Sequence, residues 1–368
     1  MKVLITGADG FIGKNLRVLL SERANTELLL AGRGTSPEAL AGMVAACDAV
    51  VHLAGENRPA DPGGFTTGNV AYTQALLTML ARRELAIPVI FSSSAQAAMD
   101  NPYSRSKRST EELLRAHAAA HHAPVAIYRL PGVFGKWCRP NYNSVVATFC
   151  HHIAHDQEIK IDNSASPLTL VYVDDVVDEF VRVLSTPWAN VADGVVTPQY
   201  ETTVGELAER IRGFRDARPS LVVDRVGTGL TRALYATYIS YLPQSAHSYR
   251  LTQYADPRGV FVEMLKTPDA GQFSFFTSAP GVTRGRHYHH TKTEKFLVVQ
   301  GQALFRFRHV LTGETYAIRV SGAEPTVVQT IPGWAHDITN EGEETLIAML
   351  WANEVFDRAR PDTFSAEV

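Results

Sequence analysis

The 368 residues exceed one average domain and point to two. An apolar fraction of 45% with 20% charged residues excludes a mainly disordered chain. The 35 Lys and Arg against 38 Asp and Glu, a net −3, exclude a broad basic surface for nucleic acid or an anionic membrane. Cys47, Cys138 and Cys150 are odd in number and irregularly spaced, which fits small buried hydrophobes in a reducing compartment rather than a disulfide framework. No apolar run reaches the ~18 residues of a spanning helix. Met1-Lys2 runs directly into Val3-Leu4-Ile5, with no room for a signal peptide. The expectation is a cytoplasmic enzyme.

In chain order, strands are expected at Val3–Thr6, Glu27–Ala31, Ala49–Leu53, Val89–Ser93, Val125–Leu130 and Thr169–Val173. Helices are expected at Lys14–Arg23, Tyr72–Arg82, Ser104–His121, Val176–Leu184 and Val204–Phe214. The alternation is that of βαβ units on a parallel sheet, a Rossmann-type doubly wound α/β fold. A turn-rich stretch around Tyr241-Leu242-Pro243-Gln244 closes this part. Short alternating runs follow at Phe261–Leu265, Gly271–Thr277, Lys295–Val299, Ala303–His309, Glu314–Val320, Thr326–Ile331 and Glu344–Trp351. They predict a compact all-β barrel or sandwich. The expected domains are 1–245, binding a dinucleotide, and 246–368, all-β.

Gly7, Gly10 and Gly13 sit between the first strand and the first helix, with Phe11 and Ile12 opening that helix. Glycines there permit a tight turn and close backbone approach to a pyrophosphate on the helix N-terminus. The second strand ends in Ala31-Gly32-Arg33-Gly34, without the carboxylate that would bind the ribose diol of NAD. Arg33 offers a fork for a 2′-phosphate, so NADPH is the expected cofactor. Its plain alternative is a solvated loop cation. The fourth strand runs into Ser94, and Tyr103 and Lys107 follow at i, i+4 behind Pro102, on one face of a helix. The Lys107 ammonium is expected to draw the phenol toward phenolate and to hold the nicotinamide ribose, with Ser94 donating to a substrate carbonyl.

Through Gly7, Gly10, Gly13, Asp48, His52-Leu53-Ala54-Gly55, Asn69, Ser94, Tyr103, Lys107, Arg129-Leu130-Pro131, Gly135 and Val173-Asp174-Asp175, the first ~245 residues resemble extended short-chain dehydrogenase/reductases acting on nucleotide sugars. That resemblance implies Tyr103 as proton donor, Lys107 as its orienting partner and Ser94 as carbonyl polariser. It adds Leu53, Ala54, Gly55 and Pro131 to the cofactor contacts.

In the all-β part, His287-Tyr288-His289 and Glu294 bring two imidazoles and a carboxylate together, and Pro332-Gly333-Trp334-Ala335-His336 offers a third imidazole. Such donors suit a divalent metal: Zn, Fe, Ni or Mn. The spacing resembles a cupin, which implies His287, His289, Glu294 and His336 as ligands, zinc being the expected ion, and a C-terminal cupin barrel. His290 competes with His289, because His-Tyr-His-His leaves the register open by one. Asp256-Pro257-Arg258-Gly259-Val260-Phe261-Val262-Glu263 resembles the opening of cupin keto-sugar epimerases.

The order reductase then cupin resembles the CapF-type family of capsule and O-antigen enzymes. It implies a UDP-linked 2-acetamido-2,6-dideoxy-4-keto hexose as substrate, on the route to UDP-N-acetyl-L-fucosamine. The cupin would epimerise carbon 3 and the reductase would reduce carbon 4. Two alternatives stand beside it: a single reductase whose cupin is a structural or dimerising module, and a dinucleotide sensor without turnover. His290 is one candidate for the base of the epimerisation. A homodimer is implied by resemblance.

Overall fold

The computed structural model describes residues 1–59, 61, 63–188 and 193–368. Contacts divide the chain into two compact units, Met1–Ile211 with Arg232–Leu242, and Arg212–Thr231 with Pro243–Val368. Arg212–Thr231, which the sequence expectation places before residue 246, packs with the β-rich unit. Val223 donates its amide to the Lys266 carbonyl, and Lys266 returns one to Leu221.

The first unit is built on β1 (Lys2–Thr6), β2 (Glu27–Ala31), β3 (Ala49–His52), β4 (Val89–Ser94) and β5 (Val125–Leu130), parallel in the order β2-β1-β3-β4-β5. Helices α1 (Phe11–Ser21), α2 (Pro37–Ala46), the single turn α3 (Gly63–Phe65), α4 (Tyr72–Leu80), α5 (Pro102–His121), α6 (Val145–Ala154) and α7 (Val173–Leu184) accompany it. Strand residues alternate between two cores. Val3, Ile5, Val51 and Ile90 pack with Leu16 and Phe180 from α1 and α7, while Leu4, Val50, Val89 and Phe91 pack with Leu40, Leu76 and Leu114 from α2, α4 and α5. Burial on both faces is why these strands read as unbroken apolar runs. Asp48 accepts the Lys2 amide at 2.6 Å, joining the starts of β1 and β3.

The strand expected at Thr169–Val173 forms as β7 (Pro167–Tyr172), outside the parallel sheet. It pairs with β6 (Gly132–Phe134) and β8 (Tyr200–Thr203) in a small mixed sheet. Beyond it, α8 (Val204–Ser220) runs six residues past the expected end at Phe214, and α9 (Gly229–Ile239) was not foreseen.

Both sheets of the second unit are antiparallel. One sheet holds β9 (Gln253–Asp256), β10 (Gly259–Thr267), β11 (Gly271–Ser278), β13 (Glu294–Gln300), β16 (Val327–Gln329) and β18 (Leu346–Ala352), in the order β16-β13-β18-β11-β10-β9. The other holds β12 (Thr283–Tyr288), β14 (Gln302–His309), β15 (Thr315–Ser321), β17 (Trp334–Asn340) and β19 (Phe364–Ser365), in the order β15-β14-β17-β12-β19. Phe276, Phe296, Phe305, Phe307 and Ile338 fill the space between them. Among the described residues, no helix is long and apolar enough to cross a membrane.

Candidate active sites

Thr6 ends β1 and the chain turns at once into α1. Gly7 adopts φ +67°, and a Cβ there would lie 2.7 Å from the Ala54 nitrogen and 2.8 Å from the Leu53 carbonyl carbon. A Cβ on Gly13 would stand 2.4 Å from the Gly7 oxygen. The turn, the start of α1 and the Leu53-Ala54-Gly55 segment therefore converge too closely for side chains. Thr6 fixes the convergence, its carbonyl accepting from Leu53 N (3.1 Å) and its hydroxyl from Ala54 N (3.2 Å). Gly10 caps α1 without a side-chain hydrogen bond. The amides of Phe11, Ile12 and Gly13 are thus open to an anion at the positive end of the helix. This glycine cradle fits a dinucleotide pyrophosphate.

Arg33, at the end of β2, is 90% exposed and ion-paired with Glu56 at 3.3 Å. The sequence supplies no carboxylate on that strand end, but the fold brings one from elsewhere. Asp9, in the glycine turn, places Oδ2 where a Cβ on Gly32 would meet it at 2.2 Å, and pairs with Arg17 at 3.1 Å. Sequence reasoning missed Asp9, because its approach to Gly32 is a property of the sheet.

Pro102 and the Asn101 side chain, which accepts from Ser104 N at 2.9 Å, start α5. Tyr103 and Lys107 then stand one turn apart on the face toward β4. Lys107 is buried and its Nζ donates to the Ser92 carbonyl at 3.1 Å, 5.0 Å from the Phe91 ring centre and 5.9 Å from that of Tyr103. Burial lowers its pKa to about 8, a shift that Glu111 opposes. Ser94 caps the short helical turn after β4, its hydroxyl accepting from Gln96 N at 3.2 Å. The expectation that the ammonium would draw Tyr103 toward phenolate is corrected here. Burial pushes the phenol above its ordinary value, and a hydrogen bond with Ser94 offsets this only in part. Tyr103 thus keeps its proton, the form a proton donor requires.

The remaining family positions frame this site. His52 bridges the Thr6 and Thr73 hydroxyls at 2.7 and 2.9 Å, and burial, with help from Lys107, lowers its pKa to about 3, so it is a neutral strut. Asn69, in a π-helical turn (Thr66–Ala71), donates to Ser106 at 2.9 Å and accepts from Glu56 N at 2.7 Å. Pro131 lies half-buried between β5 and β6.

In the second unit β12 carries His287 and, just past its end, His289. Glu294 opens β13 and His336 sits on β17. Their ligand-type atoms all lie within 4.8 Å of one another. Glu294 Oε2 is 3.3 Å from Nε2 of both His289 and His336. Burial pushes the Glu294 carboxyl up, but the two histidines outweigh it and hold it well below the usual carboxylate range. Nδ1 of His289 meets the Asp362 carbonyl at 2.6 Å, and Nδ1 of His336 meets the Trp334 carbonyl at 3.3 Å. Those contacts orient the two rings, so that with a metal bound each Nε2 would present its lone pair inward. Nε2 of His336 is buried without a hydrogen bond. Three imidazoles and one carboxylate so arranged fit a divalent ion.

His290 points elsewhere. Its ring packs on Phe364 and Tyr288 at 4.7 and 5.4 Å, outside the cluster in which His289 lies. His290 is not among the residues that line the adjoining cavity. That cavity, of about 150 Å³, is lined by His287, Glu294, His336, Arg284 and aromatic rings including Phe261 and Phe276. Asp362 was missed by sequence reasoning. Its carboxylate accepts from the amides of His290, Thr291 and Lys292 (2.8–3.0 Å), pinning the ligand loop from 70 residues away.

Residues 3–196 match the NAD dependent epimerase/dehydratase family, and residues 254–364 match the polysaccharide biosynthesis C-terminal domain. The chain is 53% identical, over all of its length and 99% of the other's, to a Pseudomonas aeruginosa protein named UDP-2-acetamido-2,6-beta-L-arabino-hexul-4-ose reductase. It superposes on the capsular polysaccharide assembling protein CapF from Staphylococcus aureus with a TM-score of 0.93, at 42% identity and full coverage of both chains. A UDP-glucose 4-epimerase from Thermus thermophilus shares the fold over 66% of this chain and 99% of its own, with a TM-score of 0.55 and 16% identity. The glycine turn and the Tyr103–Lys107 helix lie within the first matched segment and the β-rich unit holds the second, and the chain belongs to the NAD dependent epimerase/dehydratase family, in its CapF-type branch.

Proposed function

We propose that this chain is a two-site nucleotide-sugar enzyme that reduces the carbon 4 ketone of a UDP-linked 2-acetamido-2,6-dideoxy hexosulose, after epimerising carbon 3 in the cupin-like unit. The observation that carries the reduction is the Tyr103–Lys107 face of α5 set against Ser94. The name of the Pseudomonas relative supports the substrate class.

NADPH, when bound, supplies the hydride to carbon 4. The protein's residues do the rest. Gly7, Gly10 and Gly13, with Phe11, Ile12, Leu53, Ala54, Gly55 and Pro131, would form the dinucleotide seat, and Arg33 would contact the 2′-phosphate. Arg17 compensates the Asp9 carboxylate near that position. As negative charge grows on the ketone oxygen, Ser94 donates a hydrogen bond and Tyr103 gives up its proton. Lys107, held by the Ser92 carbonyl, stabilises the phenolate left behind.

In the second unit His287, His289, Glu294 and His336 would hold a divalent ion, zinc by donor type, which would polarise a keto oxygen. The proton on carbon 3 is labile only while carbon 4 is a carbonyl, since the enolate places charge on oxygen. Epimerisation therefore precedes reduction. The same unit supports a homodimer: Val327, Leu297, Met349 and Phe275 form a cross-strand apolar row on the sheet face away from Phe276 and Phe296, with Val327 exposed.

The reduction is tested with Tyr103→Phe. Ketone-dependent NADPH oxidation should fall ~100- to 10,000-fold, the span of a lost general acid, with cofactor binding retained. Undiminished turnover would overturn the assignment.

A further inference from the structure

Helix α5 carries a third residue on the face that bears Tyr103 and Lys107. Glu111 follows Lys107 at i+4, and its side chain is 2% exposed. It gathers the ends of two strands. Ser93 Oγ donates to Glu111 Oε1 at 2.5 Å, and Arg129 on β5 donates to both carboxylate oxygens at 2.9 and 2.6 Å. Ser93 and Arg129 are themselves register partners across β4 and β5. Three successive serines of β4 thus meet one helix face: Ser92 through its carbonyl on Lys107, Ser93 through its hydroxyl on Glu111, and Ser94 beside Tyr103.

We propose that Glu111 is a positioning residue for the reduction, fixing the Ser94-bearing end of β4 against α5 and supplying the buried counter-charge to the Lys107 ammonium. The inference rests on the reading of Tyr103, Lys107 and Ser94 as the reducing site. Without a carboxylate, a lysine in this apolar surrounding loses its proton more readily. The charged and titratable groups that face Lys107 among the described residues are few. Tyr103 and Glu111 share its helix, and His52 on β3 is held neutral by burial and by the Lys107 charge itself. From β4 come only the Phe91 ring and the Ser92 carbonyl. Glu111 itself is held below its ordinary value, since burial is outweighed by hydrogen bonds from Arg129 and Ser93 and by the charges of Arg129 and Arg115. It is therefore the anion that opposes the loss of the lysine proton.

The experiment is the pH profile of kcat for reduction in wild type and Glu111→Gln. Wild type should lose activity as pH rises through about 8, where Lys107 deprotonates. In Glu111→Gln that alkaline limb should move down by roughly one pH unit, and Glu111→Asp should bring it back. A merely structural role would lower the melting temperature and leave the limb in place, which overturns the proposal. Should Glu111→Gln fail to fold, Ser93→Ala carries the positional half: kcat should fall several-fold with KM for NADPH unchanged, and an unchanged kcat would overturn it. If Tyr103→Phe itself reduces normally, the site reading has failed; if only the Glu111→Gln limb stays fixed, the inference alone has failed.

Discussion

Tyr103 shows how environment sets chemistry at the level of one side chain. A phenol facing water titrates near ~10, and a nearby ammonium would favour the anion, yet burial dominates and keeps the proton on. A donor at the ketone needs that form. Arg33 is the opposite case, an exposed cation whose partner in the structure is Glu56. If it reads a 2′-phosphate, Arg33→Ala should weaken NADPH binding ~10- to 100-fold and leave NADH binding nearly unchanged, the range for a hydrogen bond to a charged group. Equal losses for both cofactors in a titration would reject that role. The histidines give a third test. Protein purified as His287→Ala with His336→Ala should lose a stoichiometric metal by elemental analysis, and unchanged content would remove them as ligands.

Whole elements were legible where burial made them so. The five parallel strands are apolar runs that alternate between two cores, and β2 and β5 fall where their sequences place them. β12 and β17 are absent from the apolar alternating runs, because each carries the site's polar residues where apolar alternation would be sought: Arg284, Arg286 and His287 on one, His336 and Asp337 on the other. A bulge also breaks the period of β12. Gly285 and Arg286 take φ of +95° and +63°, and the extra residue lets Arg284 and His287, three apart, line one cavity. Of β6, β7 and β8 only β7 is expected from the sequence, and as part of the parallel sheet, since register and sheet membership depend on partners far along the chain. At this scale the apolar row of Val327, Leu297, Met349 and Phe275 predicts self-association. Sedimentation equilibrium should return twice the mass of one chain, and Met349→Glu should shift it to the monomer; a wild-type monomer would refute the dimer.

In the molecule as a whole, local sequence patterns identified the glycine turn, the Tyr103–Lys107 pair and the four clustered metal-type donors. The groups that support them, Asp9, Glu111 and Asp362, carry no local signature, because their roles arise from contacts 18 to 73 residues away or from a strand end met in space. In the proposed two-step order, carbon 3 of the keto-sugar reports on epimerisation without reduction. The Tyr103→Phe protein, incubated with the UDP-linked 4-keto sugar in deuterium oxide and followed by NMR, should place deuterium on carbon 3 while forming almost no carbon 4 alcohol. A sugar recovered with hydrogen still on carbon 3 would contradict the two-site account and leave a reductase with a structural β-rich unit.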